Sequence, residues 1–546
     1  MEVLRKGLFS LRSPFRWSHI AIFSPKYHSF IGSPQTLYSI TGDETIFHIL
    51  ESCKLHPNFR TAIVVHSKII KHGYEVYPSI LSTLVKVYLA CEKFNLAHQL
   101  LSEVCFSNFD VFSANVLIDS FMKVGEVDIA KKVFFALPTR DVVTWNSIIG
   151  GCVRNGFFSE SIGMFKEMLQ TKVEPDGFTF ASVITACSRL GALYHGNWVH
   201  GLMAEKKIEL NYLLSSALVD MYSRCGRIET AKSIFNAVPK TDVSLWNAIL
   251  SGLAMHGLAV DAISVFKTME RENISPDPVT FIGVLTACSH CGLVEEGRKY
   301  FNLMKKDYSI QPQLEHYGAM VDLFARAGLL EEARGMIEEM PMEPDVVIWR
   351  ALLSSCRTHR NFELGEEVVA KIKHLGSGDY ILLSNIYCST KKWDNAETVR
   401  HTMHKKGVHK TKGKSWVELH GAIHHFKAGD RSHPETKAIY KILEALIHRT
   451  RMEGYVSSPD LVLMDISEEE KEENLNYHSE KLALAFGILK SSPGAEISIS
   501  KNLRTCLDCH CWMKIVSKVL HRVIIVRDRI RFHRFEKGFC TCGDYW

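Results

Sequence analysis

The sequence predicts a mostly α-helical solenoid of repeated helix pairs, followed by a smaller α/β domain at the C-terminus. Two observations lead to this fold class. The first is an internal repeat, because Trp145-Asn146 returns as Trp246-Asn247, and Pro175-Asp176 returns as Pro276-Asp277, each 101 residues later. The second is the last quarter of the chain, where the repeat stops and histidine and cysteine follow a spacing typical of metal sites.

Glycines mark the end of one helix in each repeat, at steps of 31 to 36 residues. They are Gly125, Gly156, Gly191, Gly226, Gly257, Gly292 and Gly328. Each follows an apolar stripe at helical spacing, as a left-handed residue that ends a helix does. Neither helix of a pair can bury its stripe alone, so neighbouring pairs must stack. A tetratricopeptide repeat has a similar length, so the period alone leaves two kinds of helical hairpin open.

Composition limits the function classes. A chain of 546 residues predicts more than one domain, and its formal net charge of +5 permits nucleic-acid binding without requiring it. Fifteen cysteines without a secretory signal argue against a disulfide framework. Because no uncharged apolar run reaches about 18 residues, we expect no membrane span and no membrane partner.

The first 41 residues differ from the rest. They are basic and rich in serine, and Glu2 is their only acidic residue. This composition predicts an organelle transit peptide. Leucines at helical spacing beside the arginines favour the mitochondrion, with the chloroplast as the alternative destination. A disordered basic leader is the competing interpretation.

The metal pattern begins with His478-Ser479-Glu480 and continues with Cys506-Leu507-Asp508-Cys509. Zinc nucleobase deaminases use such an H-x-E and C-x-x-C set, with three protein ligands and a glutamate that moves protons without binding the metal. The general pattern has proline before the first cysteine, where this chain has Thr505. Two sequence decoys share parts of the pattern, namely a predicted turn at His433-Pro434-Glu435 and a predicted core segment at Cys288–Cys291.

These motifs support a family resemblance. The run from Tyr477 to Ala483, the Cys506–His510 block and the terminal Asp544-Tyr545-Trp546 resemble the DYW-type cytidine deaminase domain that ends plant pentatricopeptide repeat (PPR) proteins. The Trp-Asn and Pro-Asp elements resemble PPR units of alternating length. The repeat units run over 42–77, 78–110, 111–141, 142–176, 177–211, 212–242, 243–277, 278–313 and 314–345.

The resemblance implies a domain order and an activity. Residues 1–41 are the transit peptide, 42–345 the repeats of a right-handed superhelical solenoid, 346–412 the E1 and E2 helical motifs, and 413–546 the DYW deaminase domain. The implied activity is site-specific C-to-U editing of single-stranded organellar RNA. His478, Cys506 and Cys509 would hold a catalytic zinc, and Glu480 would shuttle the proton for a zinc-activated water. Accessory organellar editing factors are further candidate partners.

The resemblance also implies a second zinc. Its candidate ligands are His510, His533, Cys540 and Cys542. The family usually has paired histidines where this chain has His533-Arg534, so the second site depends on the first member of that pair being the ligand. Cys511 is a further unusual residue beside the site, which either replaces a ligand or is simply buried.

In the family, the fifth and last residues of a repeat unit face one base. The candidate pairs are Ser82/Asp110, Asn115/Asp141, Asn146/Asp176, Ser216/Asp242 and Asn247/Asp277. The asparagine pairs imply a pyrimidine, mostly uracil, and the serine pairs imply guanine. Each residue also has a structural interpretation, since asparagine and aspartate are common at helix starts, where aspartate is a cap. Their recurrence at fixed positions favours recognition.

Two other functions remain open from the sequence. The chain could be an RNA-binding adaptor that stabilises a transcript or recruits a deaminase in trans, or a zinc-stabilised scaffold without RNA. The intact Glu480 with its three candidate ligands favours the enzyme over the adaptor. The repeated asparagine–aspartate pairs weigh against the scaffold.

Overall fold

The computed structural model describes residues 49–50, 53, 58–72, 77–102, 110–409, 412–419, 421–457 and 475–545. The predicted transit peptide, residues 1–41, lies outside this range. The chain divides into two compact parts, an N-terminal part of residues 1–182 and a C-terminal part of residues 183–546. Over the described residues, none of the helices combines the length and apolarity needed to span a bilayer.

The N-terminal part consists of helical hairpins. Its helices are α1 Phe59–His72, α2 Pro78–Ala90, α3 Phe94–Ser102, α4 Val111–Val124, α5 Val127–Ala136, α6 Val142–Arg154 and α7 Phe158–Met168, and α8 Gly177–Leu190 crosses its boundary. The repeated tryptophan packs on a phenylalanine of the preceding hairpin. Trp145 meets the Phe134 ring edge-on at 4.9 Å between centroids, and in the C-terminal part Trp246 meets Phe235 in the same way at 5.0 Å.

The C-terminal part continues the hairpins. Their helices are α9 Leu193–Glu205, α10 Tyr212–Arg224, α11 Ile228–Ala237, α12 Val243–Met255, α13 Ala259–Arg271, α14 Pro278–Cys291, α15 Val294–Lys306, α16 Leu314–Arg326, α17 Leu330–Glu339, α18 Val346–Thr358, α19 Phe362–Lys371, α20 Ser377–Ser389 and α21 Trp393–Lys405. From Pro78 to Val346, the first helix of each hairpin begins at the first residue of a predicted repeat unit. The fold is therefore mostly helical, as the sequence predicts.

Local chemistry sets the ends of these helices. Before α14, the carboxylate of Asp277 accepts the Thr280 backbone N–H at 2.8 Å, and the Asp277 N–H donates to the Thr280 hydroxyl at 3.1 Å, which forms a capping box. Gly292 ends the same helix at φ 70°, a left-handed conformation that favours glycine. The Pro-Asp and glycine elements of the repeat are thus the start and stop of its first helix.

One predicted boundary differs. The sequence predicts the two E motifs over 346–379 and 380–412, whereas the first helix of the second pair, α20, begins at Ser377. The Asp379 carboxylate accepts the Gly376 N–H at 2.8 Å and two hydrogen bonds from Arg350 at 2.7 Å. These contacts start the helix earlier than the apolar pattern indicates.

The C-terminal domain is a small α/β fold. Its elements are β1 Lys414–Leu419, β2 Ala422–Lys427, α22 Thr436–Met452, α23 Ser479–Lys490, β3 Ile497–Lys501, α24 Leu507–Val519, β4 Ile524–Arg527, β5 Phe532–Glu536 and β6 Phe539–Cys540. The strands form one sheet of order β2-β1-β3-β4-β5-β6, in which only β3 and β4 pair in parallel. Helices α22, α23 and α24 share its core, which includes Phe486 and Trp512.

Candidate metal centres and base-reading positions

The first candidate centre forms where two helices begin. His478 is the N-cap of α23, and Cys506 is the N-cap of α24. His478 Nδ1 lies 3.4 Å from the Sγ atoms of Cys506 and Cys509. With a carboxylate oxygen of Glu480, these ligand atoms all lie within 4.8 Å of one another. Helix N-termini favour negative charge, so they favour the thiolate forms of the cysteines.

This geometry fits zinc. A tetrahedral site with sulfur at about 2.3 Å and nitrogen at about 2.0 Å from the metal separates its ligand atoms by about 3.5 Å. The observed 3.4 Å between the histidine nitrogen and each sulfur agrees with that separation. The hydrogen bond with Cys509, followed by that with His478, lowers the pKa of Cys506 well below its ordinary value, against the effect of burial.

Glu480 is held as a buried carboxylate beside this cluster. It is 1% exposed, and it accepts hydrogen bonds from the Lys501 ammonium and, at 3.0 Å, from the Ser479 hydroxyl. Burial alone would raise the pKa of Glu480, but the charge of Lys501, followed by that of His478, lowers it below its usual value. The site therefore keeps an ionised acid–base group beside the metal ligands.

A buried ion pair joins the two helices that carry the ligands. Lys481 follows Glu480, and its ammonium donates to Asp508 at 2.8 Å and to the Tyr455 hydroxyl at 3.2 Å. Tyr455 in turn donates to Asp508 at 2.6 Å. Both charged side chains are fully buried, so each depends on the other. Lys481 and Asp508 lie inside the two motifs, but the sequence pattern predicts neither of them as a ligand or as a catalytic residue.

The second candidate centre gathers residues from α24, β5 and the C-terminal turn. His510, His533, Cys540 and Cys542 offer ligand atoms within 4.8 Å of one another. His510 Nε2 lies 3.1 Å from Cys542 Sγ, and His533 Nδ1 lies 3.7 Å from Cys540 Sγ. These separations also match a tetrahedral zinc site.

Where the family usually has two histidines, the residue of this chain that contributes to the second cluster is the first of the two, His533. His533 points into the second cluster, whereas Arg534 donates to Glu496 at 3.0 Å. The arginine therefore leaves the cluster intact. Cys511 is exposed and lies outside the cluster, so it neither replaces a ligand nor is buried.

Asp528 connects the two centres. Its carboxylate accepts the Thr505 backbone N–H at 3.3 Å, directly before Cys506, and lies 3.5 Å from His533 Nε2. A proline at the place of Thr505 has no N–H to donate. The departure from the general deaminase pattern thus carries a hydrogen bond, and a carboxylate beside a ligand histidine orients its ring.

The sequence decoys lie elsewhere. Glu435 forms an ion pair with Lys490 at 2.7 Å, and His433 packs against the Phe486 ring. Cys288 is buried in the repeat core, and the Cys291 thiol donates to the Gly257 carbonyl at 3.1 Å. Neither segment contributes to either metal cluster.

In the candidate base-reading pairs, each asparagine forms a hydrogen bond with its aspartate. Their Nδ2 atoms donate to the carboxylates at 3.2 Å in Asn115/Asp141, 3.0 Å in Asn146/Asp176 and 3.0 Å in Asn247/Asp277. Because a carboxylate only accepts, the amide nitrogen of each asparagine must face it, which fixes the amide orientation. The Thr280 hydroxyl lies 2.7 Å from Asn247 Oδ1, and Thr179 lies 2.5 Å from Asn146 Oδ1.

The serine pairs are less direct. The Ser216 hydroxyl lies 3.1 Å from Ser244 Oγ, and Ser244 donates its backbone N–H to Asp242 at 2.8 Å. Ser82 is buried and donates to the Ser79 carbonyl at 3.0 Å. Its partner Asp110 accepts the Ser113 N–H at 2.9 Å as a cap.

A set of exposed apolar residues was missed in the sequence. They share the second position of their repeat units, or of the first E motif, beside the helix N-terminus: Phe112, Val143, Phe178, Leu213, Val279 and Val347. Their exposed fractions range from 36% for Leu213 to 76% for Phe112. The repeat register is the signal that could have found them, since an apolar residue recurs where the helix start faces solvent.

Comparison with known proteins identifies the chain. A family model described as the DYW family of nucleic acid deaminases matches residues 454–546, and an E motif model matches residues 359–418. PPR models match 112–142, 140–189, 215–240, 241–290, 279–308 and 315–343. A pentatricopeptide repeat-containing protein of Arabidopsis thaliana is 56% identical over 94% of this chain and 96% of its own length. The chain belongs to the PPR protein family, with a C-terminal DYW deaminase domain.

Other Arabidopsis thaliana PPR proteins align over most of this PPR protein as well. One named as mitochondrial is 43% identical over 80% of this chain and 70% of its own length. Another named as chloroplastic/mitochondrial is 40% identical over 91% of this chain and 76% of its own. The crystal structure of the maize PPR protein PPR10 covers 91% of this chain and 76% of its own, at 17% identity and a TM-score of 0.42.

Proposed function

We propose that this PPR protein is a site-specific RNA editing enzyme that converts cytidine to uridine in single-stranded organellar RNA. The observation that carries the proposal is the convergence of His478, Cys506 and Cys509 on one point with an ionised, buried Glu480 beside it. A metal, a positioned acid–base group and a nucleobase substrate are the requirements of hydrolytic deamination.

The chemistry assigns a task to each residue. His478, Cys506 and Cys509 would hold a zinc ion, which lowers the pKa of water toward about 7 when bound. In the reaction, water adds across the C4–N3 bond of cytosine, and ammonia leaves from C4. Glu480 accepts a proton of the water and delivers it to N3, and then takes the proton of the new C4 hydroxyl and passes it to the leaving amino group. Lys501 keeps Glu480 ionised in a buried site, so that it starts as a base.

The second set of ligands would hold a structural zinc. His510, His533, Cys540 and Cys542 are four nitrogen and sulfur donors, which is the composition of a closed structural site. Such a site would fold the segment after β5 onto α24. Asp528, between His533 and Thr505, would transmit that order to the start of α24, where the catalytic ligands lie.

The repeats would read the RNA. Each asparagine amide has two protons, and the aspartate takes one of them, which leaves the other for a carbonyl oxygen of a base. The exposed residues at the second position, such as Phe112 and Phe178, offer apolar surface against which a base can stack. The serine pairs Ser82/Asp110 and Ser216/Asp242 remain candidates for guanine.

The leader and the names of the relatives both support an organellar site for this protein. The basic, serine-rich residues 1–41 have the composition of a transit peptide, and relatives carry names that specify the chloroplast or the mitochondrion. We place this protein in the mitochondrion, with the chloroplast as the alternative. Accessory editing factors are candidate partners in the same compartment.

A glutamate variant tests the proposed reaction. Glu480→Gln keeps the shape and removes the base, so we expect conversion to fall by about 10²–10⁴-fold, with zinc content and RNA affinity retained. Glu435→Gln is the matched control, because it lies in the other His-x-Glu segment, on the surface beside Lys490, and should edit normally. The assay expresses each full-length variant in a plant line lacking the protein and sequences its organellar transcripts. Editing that persists in the Glu480 variant would refute the enzyme and leave the adaptor.

A further inference from the structure

The deaminase domain contacts the repeats of the C-terminal part through the turn between β4 and β5. Arg527, at the end of β4, donates from Nη1 to the carbonyl of Arg224 at 3.3 Å. Arg531 donates from both terminal nitrogens to the carbonyl of His290 at 3.1 Å. Both acceptors lie in the last turn of a first helix, where carbonyls have no partner within the helix. Each guanidinium group therefore bonds one such carbonyl, Arg527 at the end of α10 and Arg531 at the end of α14.

The charges of this contact match the helix ends that they meet. The C-terminus of a helix carries partial negative charge and its N-terminus partial positive charge. The two arginines meet C-termini, whereas Glu418 of β1 meets the start of α9. Its carboxylate accepts the Tyr194 backbone N–H at 3.4 Å and lies 3.8 Å from His195 Nδ1. The two arginines of the domain thus meet helix ends with partial negative charge, and Glu418 meets a helix end with partial positive charge.

The glycines that end the first helices of the repeats line this contact. Four of them in succession face the domain: Gly191, Gly226, Gly257 and Gly292. A Cβ on Gly191 would lie 2.8 Å from a terminal nitrogen of Arg527, and one on Gly292 would lie 2.9 Å from the Tyr545 ring. A side chain at these positions would have to displace the Arg527 guanidinium at Gly191 and the Tyr545 ring at Gly292. The next glycine, Gly328, faces His359 of α18 instead.

An aromatic stack completes the contact. His256, the residue before Gly257, stacks on Phe532 with ring centroids 4.4 Å apart and planes within 2°. Both side chains are buried. Burial lowers the pKa of His256 to about 4 against the opposing effect of its hydrogen bond with the Ser223 carbonyl; Lys232 and Arg534 lower the pKa further, and Glu229 raises it. The ring is therefore uncharged at neutral pH, which suits stacking against phenylalanine.

We infer that this face of the repeats, the seat formed by Gly191, Gly226, Gly257, Gly292 and the start of α9, fixes the distance along the RNA between the bases that are read and the cytidine that is converted. The inference rests on the proposed function. It makes Arg527 a positioning residue for the reaction, because it holds the deaminase domain at one place along the array.

RNA can occupy the base-reading positions while the deaminase domain contacts the seat. The base-reading positions lie at the start of the first helices, and the seat lies at their ends. His256, directly after α12, lies nine positions beyond Asn247, which corresponds to about 13 Å along a helix. RNA at the reading positions therefore does not compete with the domain for the seat, and one helix relates the two.

Reversing the charge of Arg527 should detach the deaminase domain from the seat without changing a metal ligand. Arg527→Glu places a carboxylate at the negative end of α10, and Arg527→Lys keeps a cation there. Arg529→Glu is the matched control, because Arg529 lies in the same turn and is exposed. Glu418→Lys, in β1, disrupts the contact with α9 and provides a second test of the seat in case Arg527→Glu misfolds. Zinc content of the full chain reports folding in each variant.

Two measurements decide the inference. Hydrogen exchange is measured on the full chain at residues 224–228 and 256–259. These amides should exchange faster in Arg527→Glu and Glu418→Lys than in the wild type. In Arg527→Lys and Arg529→Glu they should exchange at the wild-type rate. The editing substrate is an RNA that is selected from a random pool for binding to the full chain and then extended on both sides. A series of such RNAs carries a single cytidine in the extension, at positions that differ by one nucleotide. The wild type should convert one spacing. The seat variants should lose about 10²-fold at that spacing and lose the discrimination among spacings, with RNA affinity unchanged.

The outcomes separate the two hypotheses. A wild type that converts cytidine at no spacing overturns the proposed function and, with it, the role of the seat. A wild type that edits, together with Arg527→Glu and Glu418→Lys variants that keep its spacing profile, overturns the inference alone. An Arg529→Glu variant that matches Arg527→Glu also overturns it, because the effect would then come from net charge.

Discussion

Replacing Asp277 by asparagine separates the two tasks of the carboxylate that ends repeat unit 243–277. Its Oδ1 accepts the Thr280 N–H at 2.8 Å as a helix cap and the Asn247 amide at 3.0 Å. Asparagine caps a helix as well as aspartate does, and alanine costs about 1 kcal/mol. The amide hydrogen bond changes from a charged to a neutral acceptor, which weakens it by about 1 kcal/mol, or about fivefold in affinity.

The chain contains a matched control at Asp345. This aspartate caps α18 through the N–H groups of Val347 at 3.0 Å and Ile348 at 2.9 Å. It ends repeat unit 314–345, whose fifth residue is Gly318, so it has no amide to orient. Asp345→Ala should therefore cost the same cap energy as Asp277→Ala without an effect on RNA affinity.

Four variants test the reasoning. The asparagine and alanine variants of Asp277 and Asp345 are compared by hydrogen exchange in the first turns of α14 and α18 and by fluorescence anisotropy with the pool-selected RNA. We expect faster exchange only in the alanine variants and weaker RNA binding only in the Asp277 variants. If Asp277→Asn binds RNA as the wild type does, or if the Asp345 variants weaken binding equally, the carboxylate at the end of a unit is only a cap.

Two further predictions concern metal and pH. Cys540→Ala should lower the metal content from two zinc ions per chain to one and destabilise the C-terminal turn, whereas Cys511→Ala, at an exposed cysteine, should do neither; elemental analysis showing equal metal in the wild type and Cys540→Ala would contradict the second site. Because the pKa of His256 is about 4 in the folded chain and about 6.5 when unfolded, the unfolded state binds more protons between these values, so stability falls as pH drops, by about 2 kcal/mol from about pH 7.5 to about pH 5. His256→Gln should flatten that dependence in urea unfolding, and an unchanged slope would contradict a buried neutral histidine.

The elements that could be predicted from the sequence depend on local or periodic chemistry. The Pro-Asp and glycine elements of the repeat are visible in the sequence because they start and stop single helices, as at Asp277 and Gly292. The catalytic ligand candidates are visible because a histidine cap and a cysteine cap each bring their partner within one helical turn. At Asp277, capping does not exclude the proposed recognition role, since the same carboxylate accepts both the Thr280 N–H and the Asn247 amide.

The remaining features depend on contacts between segments that lie far apart in the chain. Lys501, which keeps Glu480 ionised, is 21 residues from it on a different element. Asp528 reaches Thr505 over 23 residues, and Arg527 reaches the Arg224 carbonyl over 303. None of these residues has a periodic partner or a diagnostic spacing, because their placement follows from the order of strands in the sheet. Only Thr505 left a trace, as a departure from the deaminase pattern.

Two recurring elements of the repeat each make two kinds of contact. The aspartate that caps a first helix also accepts a hydrogen bond from the amide of a candidate base-reading residue, as Asp277 does from Asn247. The glycine that ends a first helix also lies against the deaminase domain, as Gly191 does against Arg527. Since both ends belong to one rigid helix, a change in the length of a repeat unit moves its reading position and its part of the seat by the same amount. A change in the β4–β5 turn moves only the domain. Under the proposed function, the helix starts would set which bases are read, and the helix ends would set where the cytidine is presented.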